Sequence, residues 1–357
     1  MASSNTLTLE IHDLAFGGKG VARSEGKVYF VPFTIPGETV VARVTRQKKN
    51  FAEAELVSVQ TPSPDRVAPP CPYFERCGGC SYQHIAYEKQ LAFKAAQVEQ
   101  TIRRVGRLSD VPMFPAVAAP AAYGYRNRIR VHSAGGVTGF FAHDARALVD
   151  IEQCLLAVPE VNQALARLRR TPVREGDYSL RAPGGGPYFE QTNPAVTALL
   201  VETVRARVSG KGALVDAYCG AGLFARALAD RFENVVGIEA NAAAIESARR
   251  QAQPHETYIA GDVSLHLADV LAQHPAAQTT VLLDPPTEGL SPRVCDILLA
   301  AAPVELVYVS CNPATLARDL ALLSSAYELK SVTPLDMFPQ TAEIEAVAYL
   351  QLKGAER

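Results

Sequence analysis

This sequence lacks long apolar segments. No run of apolar residues approaches the roughly 18 needed to cross a bilayer, and the first residues, MASSNTLTLEIHD, have neither the basic start nor the apolar core of a secretory signal. Internal repeats and low-complexity segments are also missing. These absences argue against a membrane protein, an exported protein and a repeat protein, and we expect a cytoplasmic protein.

Neither sign of charge dominates, since the formal net charge is −2. The charges are nevertheless unevenly distributed. Residues 1–184 carry 23 Lys or Arg and 17 Asp or Glu, whereas residues 185–357 carry 12 and 20. A basic first half predicts a polyanionic partner, with a chance imbalance as the alternative.

The seven cysteines do not indicate a disulfide framework, because the number is odd and no export signal is seen. Three of them, Cys71, Cys77 and Cys80, lie within ten residues of sequence. Such clustering indicates a metal or iron–sulfur site. The spacing C-x5-C-x2-C by itself leaves zinc and an iron–sulfur cluster equally open.

Three segments differ in hydrophobic pattern. Residues 1–62 contain short alternating runs such as KVYFVPF between glycine and proline breakers, which predict a small β-barrel of the oligonucleotide-binding kind. The proline-rich TPSPDRVAPP then leads into a central segment, residues 63–184, where the cysteine cluster lies. In residues 185–357 helices and buried strands alternate, which predicts an α/β fold with a doubly wound, mostly parallel sheet. EAVAYLQL (345–352) is predicted to close that sheet as a final strand.

The stretch VDAYCGAGLF, which contains Gly220 and Gly222, lies where the first strand of the predicted sheet meets its helix. The two glycines permit close approach of the backbone to a ligand. A dinucleotide-binding turn has a third glycine, and Ala225 stands at that position here. Asp216 before the turn and Glu239 at the end of the next strand are more typical of an S-adenosylmethionine (SAM) site, with a plain strand–helix turn as the alternative.

Four chemically capable side chains stand at predicted strand C-termini: Asp216, Glu239, Asp284 and Cys311. In sheets of this kind ligands bind beyond the carboxyl ends of the strands, so these residues predict a site at one edge. Cys311 ends the apolar strand LVYVS abruptly. Simple packing is the alternative for this residue, because free cysteines are often buried and inert.

Longer motifs extend this pattern. CPYFERCGGCSYQHIAYEKQ (71–90) contains the cysteine cluster, DPPTEG (284–289) precedes LVYVSCNPAT (306–315) by sixteen residues, and DMFPQTAEIE (336–345) follows. All of them resemble segments of the SAM-dependent RNA uracil-5-methyltransferases, which make 5-methyluridine in tRNA and ribosomal RNA. The resemblance covers nearly the whole chain, and the first 60 residues are similar to a TRAM domain, an RNA-binding barrel.

The resemblance implies a domain order and a cluster. It implies a TRAM-like barrel at residues 1–62, a central iron–sulfur domain at 63–184 and a Rossmann-like SAM methyltransferase domain at 185–357. The implied ligands of a [4Fe–4S] cluster are Cys71, Cys77, Cys80 and the distant Cys154. The implied partner is RNA, with ribosomal RNA favoured over tRNA by the TRAM domain, and a monomer is expected.

The resemblance also implies a mechanism. The Cys311 thiolate adds to C6 of uracil, which makes C5 nucleophilic toward the SAM methyl group, and Glu345 then removes the C5 proton. The implied SAM contacts are Gln191, Tyr218, Glu239, Asp262 and Asp284. Because a duplex hides the target atoms, the base is expected to be flipped out or unpaired.

Three positions depart from the family pattern. Thr287 stands where the family has arginine, Glu343 where it has histidine, and Leu223 where asparagine is frequent. These departures put the substrate and the rate in question without removing Cys311 or Glu345. The alternatives are a methyltransferase with another target base, for which the thiol is unnecessary, and a non-catalytic RNA-binding protein on the same fold.

Overall fold

The computed structural model of the protein describes residues 6–170, 173–186 and 188–355. The chain forms two compact units, each assembled from separate segments. The first unit comprises Met1–Gln97, Ala121–Pro183 and Phe338–Glu343, and the second comprises Val98–Pro120, Gly184–Met337 and Ile344–Arg357. The domain boundaries at residues 62 and 184 stay predictions. Within the described ranges, no helix is long and apolar enough to cross a membrane.

The first unit begins with a closed β-barrel. Its strands are β1 (Thr6–Leu14), β2 (Lys19–Ser24), β3 (Lys27–Pro32), β4 (Thr39–Gln47) and β5 (Phe51–Thr61). They are ordered β1-β2-β3-β5-β4, antiparallel except for the parallel pair of β3 and β5. Alternate residues such as Leu9 and Ile11 point into the barrel and meet Val31, Val40 and Ala42. The predicted small β-barrel is thus confirmed.

The remainder of the first unit is a small α+β structure. Its elements are α1 (Tyr87–Val105, which ends in the second unit), β6 (Arg128–Ala134), β7 (Val137–Phe141), β8 (Leu148–Asp150), α2 (Pro159–Leu168) and β9 (Gly176–Arg181). The strands form an antiparallel sheet in the order β8-β7-β6-β9. Helix α2 contributes Val161 and Leu165 to a core that they share with Ile129, Val131 and Ile151.

The second unit contains a seven-stranded sheet with helices between its strands. The elements are α3 (Pro194–Arg205), β10 (Ala213–Ala217), α4 (Leu223–Leu228), β11 (Asn234–Glu239), α5 (Ala242–Arg249), β12 (Glu256–Ala260), α6 (Val263–Leu271), β13 (Thr279–Leu283), α7 (Pro292–Ala301), β14 (Glu305–Ser310), α8 (Pro313–Leu323), β15 (Tyr327–Leu335) and β16 (Glu345–Leu352). The strand order is β12-β11-β10-β13-β14-β16-β15. The predicted doubly wound α/β fold is therefore confirmed.

Two features of this sheet position the site. From β10 the chain adds β11 and β12 on one side and then returns to place β13 on the other, so the order reverses between β10 and β13. Ligands of such sheets bind at this reversal. Strand β16 lies inside the sheet, antiparallel between β14 and β15, rather than at an edge. The predicted final strand, residues 345–352, is confirmed, and its unbroken apolar run is buried on both faces.

Candidate active site

The turn after β10 holds its backbone in left-handed conformations. Tyr218, Gly220 and Gly222 have φ angles of 68°, 54° and 82°. A Cβ atom at Gly222 would lie 2.9 Å from the Tyr258 hydroxyl, so this position requires glycine for steric reasons as well. A non-glycine residue such as Tyr218 is strained in this region, and such strain is concentrated at functional sites.

Three carboxylates from neighbouring strands meet beside this turn. Asp216 Oδ2 accepts a hydrogen bond from the Ala225 N–H at 2.8 Å, whereas Oδ1 is buried without a hydrogen-bond partner. Glu239 Oε2 accepts from the Gly220 N–H at 3.2 Å. Burial raises the pKa of Asp216 to about 8, and the charges of Asp284 and Glu239 add to the rise. Burial and Glu239 also raise the pKa of Asp284. This concentration of negative charge favours a ligand that carries positive charge or hydroxyl donors.

Two further predicted SAM contacts lie together near the same turn. Asp262 caps α6 by accepting a 2.7 Å hydrogen bond from the Ser264 N–H, and hydrogen bonds from the Ser264 side chain and N–H lower the pKa of its carboxyl. Burial raises the pKa of Tyr218 to about 12, and the charge of Asp262 adds to the rise. Gln191 precedes α3, whose N-terminus Asn193 caps. The roles of these three residues as cofactor contacts stay predictions.

Cys311 and Glu345 come together through the strand register. Ser310, the last residue of β14, pairs with Ala346 of the antiparallel β16. Continuing this register by one residue sets Cys311 opposite Glu345. Cys311 is half-buried and Glu345 is buried. Burial raises the pKa of the Cys311 thiol, and the charges of Glu345 and Asp284 raise it further.

One contact of the thiol was missed by sequence reasoning. Thr287 Oγ1 lies 3.8 Å from Cys311 Sγ. Asn312, whose Oδ1 caps α8 through the Ala314 N–H at 3.0 Å, also donates from Nδ2 to the Thr287 carbonyl at 3.2 Å. The only sequence signal was Asn312 before a proline, the pattern of a helix N-cap. It reveals the start of the helix, but it does not reveal the contact across the site.

The other two departures from the family pattern have plain structural settings. Glu343, in the first unit, forms an ion pair with Arg126 at 3.9 Å. Leu223 is the first residue of α4. Neither observation identifies a change of substrate.

Four cysteines of the first unit line one cavity of about 270 Å³: Cys71, Cys77, Cys80 and Cys154. All four are free thiols and partly buried. Burial raises the pKa of Cys80 to about 12, and the charges of the other three cysteines add to the rise. Each thiolate therefore disfavours the ionisation of its neighbours unless a cationic group lies among them.

These four thiols are candidate ligands of a metal group. Among the residues for which the structure gives positions, no three His, Cys, Asp or Glu side chains converge closely enough to hold a single ion. A zinc site needs sulfurs about 2.3 Å from one ion, whereas a [4Fe–4S] cluster distributes four thiolates over its irons. Four thiols around one cavity are a donor set that fits a [4Fe–4S] cluster, and four thiolates also suit zinc.

Comparisons with known proteins cover nearly the whole chain. The sequence model of the tRNA (uracil-5-)-methyltransferase family matches residues 265–353, that of the TRAM domain residues 5–57, and that of the methyltransferase small domain residues 190–307. An uncharacterized RNA methyltransferase of Thermosynechococcus vestitus is 32% identical over 97% of this chain and 98% of its own. Another uncharacterized RNA methyltransferase, from Bdellovibrio bacteriovorus, is 34% identical over 97% of this chain and 95% of its own.

A solved structure is similar over the same extent. The crystal structure of the Pyrococcus abyssi tRNA (uracil-54, C5)-methyltransferase in complex with S-adenosyl-L-homocysteine has a TM-score of 0.69 and 25% sequence identity to this chain. The match covers 96% of this chain and 100% of that one. The likeness thus extends over the described part of both units.

Proposed function

Because the chain belongs to the RNA methyltransferase family that includes the tRNA (uracil-5-)-methyltransferases, we propose that it transfers a methyl group from SAM to C5 of a uridine in RNA. The observation that carries this proposal is the position of Cys311. Its thiol stands at the carboxyl edge of the sheet, opposite Glu345 in the strand register, where the charges of Glu345 and Asp284 act on it. A methyltransferase that modifies a nucleobase nitrogen needs no such nucleophile.

The arrangement of Cys311 and Glu345 supports the following chemistry, which the family resemblance implies. Cys311 loses its proton and its sulfur adds to C6 of uracil, so that the C5–C6 electron pair becomes available at C5. SAM supplies a methyl group on a positively charged sulfur. C5 forms a bond to this methyl carbon as the methyl–sulfur bond breaks. Glu345 takes the C5 proton, the C5–C6 double bond re-forms, and the Cys311 thiolate leaves. The products are a 5-methyluridine, S-adenosylhomocysteine and one proton.

The carboxylates at the reversal of the sheet supply the proposed SAM site. Glu239 ends its strand in a position suited to ribose hydroxyls, and Asp284 stands between the glycine turn and the thiol. Tyr218, Asp262 and Gln191 complete the proposed contacts. A sulfonium and an ammonium group on the ligand would relieve the repulsion among these carboxylates, which supports SAM over an anionic nucleotide.

In the first unit we propose a [4Fe–4S] cluster held by Cys71, Cys77, Cys80 and Cys154. The convergence of four cysteines from distant parts of the sequence on one cavity supports it, together with the resemblance of residues 71–90 to the iron–sulfur segment of the family. The cluster would supply the positive charge that these thiolates need and would tie together segments of the unit that are distant in sequence. No step of the methyl transfer depends on it.

The proposed substrate is RNA, since a TRAM domain precedes the methyltransferase fold. The class of RNA stays a prediction: the TRAM domain favours ribosomal RNA, whereas the similar solved structure is that of a tRNA (uracil-54, C5)-methyltransferase. The test uses 5-fluorouridine-substituted tRNA and ribosomal RNA in separate reactions with SAM and anaerobically purified protein. Fluorine blocks proton removal at C5, so the protein should stall as an adduct that survives a denaturing gel.

The outcomes separate the alternatives. An adduct with one pool that Cys311→Ala abolishes would support the mechanism and identify the RNA class. SAM binding without an adduct in either pool would instead favour another target base or a non-catalytic RNA-binding role.

A further inference from the structure

The loop that follows β13 is held by the first turns of α8. The Nδ2 atom of Asn312 and the Oγ1 atom of Thr315 both donate to the Thr287 carbonyl, at 3.2 and 3.1 Å. Helix α8 begins just after Cys311. The helix that follows the thiol therefore also holds the loop that carries Thr287.

The rest of the loop is anchored one turn further along α8. Arg318 Nη2 donates to the carbonyls of Glu288 and Leu290 at 2.9 and 3.1 Å. Asp319 is fully buried and accepts from the Leu290 N–H at 2.8 Å and from the Tyr308 hydroxyl at 2.7 Å. The two bonds to the Asp319 carboxylate are charge-assisted and buried, and such bonds are strong, so they hold the loop in place.

Gly289 shows how closely the loop lies against the helix. It has a φ angle of +76°, and a Cβ atom there would stand 2.5 Å from Asp319 Oδ2. A side chain at this position would clash with the carboxylate and strain the backbone. The path of the loop next to Thr287 is thus determined by packing as well as by hydrogen bonds.

These contacts place the uncharged hydroxyl of Thr287 beside the Cys311 thiol, on which negative charges act. The charges that act on Cys311 are those of Glu345, at the start of β16, and of Asp284, just after β13. Both carboxylates and the partial burial of the thiol disfavour a thiolate. The Thr287 hydroxyl, 3.8 Å from Cys311 Sγ, acts in the opposite direction.

We propose that Thr287 is a positioning residue whose hydroxyl donates a hydrogen bond to the Cys311 thiolate, and that the contacts from α8 hold it there. The inference rests on the proposed function, in which the thiolate adds to C6. It assigns to Thr287 an effect on the fraction of reactive thiolate and on its orientation. It assigns to Thr287 no contact with SAM.

The test measures alkylation of Cys311 by iodoacetamide against pH in the intact protein, with mass spectrometry of the peptide that contains Cys311. Thr287→Val removes the hydroxyl and keeps the shape. We expect it to slow alkylation roughly tenfold below the usual thiol pKa, and to shift the pH profile upward, as the loss of a hydrogen bond to a charged group predicts. Thr287→Ser should restore the rate to within about twofold. An unchanged profile in Thr287→Val would overturn the proposal.

Controls separate this inference from the proposed function. Thr203→Val removes a hydroxyl that bonds only within α3, to the Leu199 carbonyl at 2.8 Å, and should leave the alkylation profile unchanged. In methyl transfer, Thr287→Val should lower kcat and leave the KM for SAM unchanged. Alkylation by iodoacetamide needs no RNA. If Thr287→Val shifts the alkylation profile but the wild type transfers no methyl group to uridine, the proposed function is rejected and the role of Thr287 is retained.

Discussion

Cys311 and Glu345 stand opposite each other across β14 and β16, one step beyond the pair formed by Ser310 and Ala346. The antiparallel insertion of β16 brings the start of that strand to the carboxyl end of β14. A thiol and a carboxylate from two separate sequence motifs therefore meet at the edge where such sheets bind ligands. The negative charge of Glu345 is also one reason why the pKa of the Cys311 thiol is raised.

Replacing Glu345 by glutamine should separate adduct formation from turnover. Loss of the negative charge lowers the pKa of Cys311, so alkylation of the thiol at neutral pH should become faster. Loss of the base should reduce methyl transfer by roughly 10²- to 10⁴-fold. Ordinary uridine RNA should then accumulate as a covalent adduct on Glu345→Gln, visible on a denaturing gel. Wild-type turnover in this variant would exclude Glu345 as the base.

The buried Asp216 should make stability depend on pH. Its pKa is raised to about 8 in the folded chain, whereas an unfolded aspartate has a pKa near 3.9. Between these values the unfolded chain releases a proton that the folded chain keeps, so stability should fall as pH rises. Asp216→Asn should flatten this dependence of stability on pH and raise Tm at pH 8. Each 1 kcal/mol of added unfolding free energy should raise Tm by roughly 2–4 °C. The measurement is thermal unfolding without SAM from pH 5 to 8, and equal slopes would contradict the assignment.

The two glycines of the turn after β10 offer a matched comparison. Both have positive φ angles, but a Cβ atom at Gly222 would meet Tyr258 at 2.9 Å, whereas one at Gly220 would meet nothing within 4 Å. Gly220→Ala should cost about 1–2 kcal/mol from backbone strain alone. Gly222→Ala should cost more and should weaken SAM binding further, as measured by urea unfolding and calorimetry. Equal losses in the two variants would refute the steric argument.

The cysteine cavity predicts a defined metal content. Protein purified without oxygen should contain about four iron and four acid-labile sulfide per chain. Cys154→Ser should lose most of both and should unfold at a lower temperature, because the remaining thiols line a cavity with nothing to bind. Cys295→Ala, in the core of the second unit, is the control and should keep its iron. One zinc per chain and no sulfide would contradict the cluster.

Some strands of the second unit could be predicted from the sequence and others could not. Runs such as TVLLD and ELVYVS have the continuous apolar character of strands buried on both faces, and both form strands. Sequence reasoning did not predict β12 and β15. β15 contains Glu328, Lys330 and a proline, the composition of a strand at a sheet edge, and this composition obscures the strand pattern. β15 forms a strand because it pairs with β16 along its length, a contact that its own sequence does not reveal.

Local features were determined by the sequence alone. The Asn312–Pro313 cap, the left-handed glycine turn and the strand that ends before Cys311 depend on residues only a few positions apart. The tertiary structure decided two other features. It set Glu345 and Thr287 beside Cys311, and it brought Cys154 to the same cavity as three cysteines distant in sequence. Those contacts depend on which strands become neighbours and in which register, and that choice is made by the packing of the whole sheet and unit rather than by local preference.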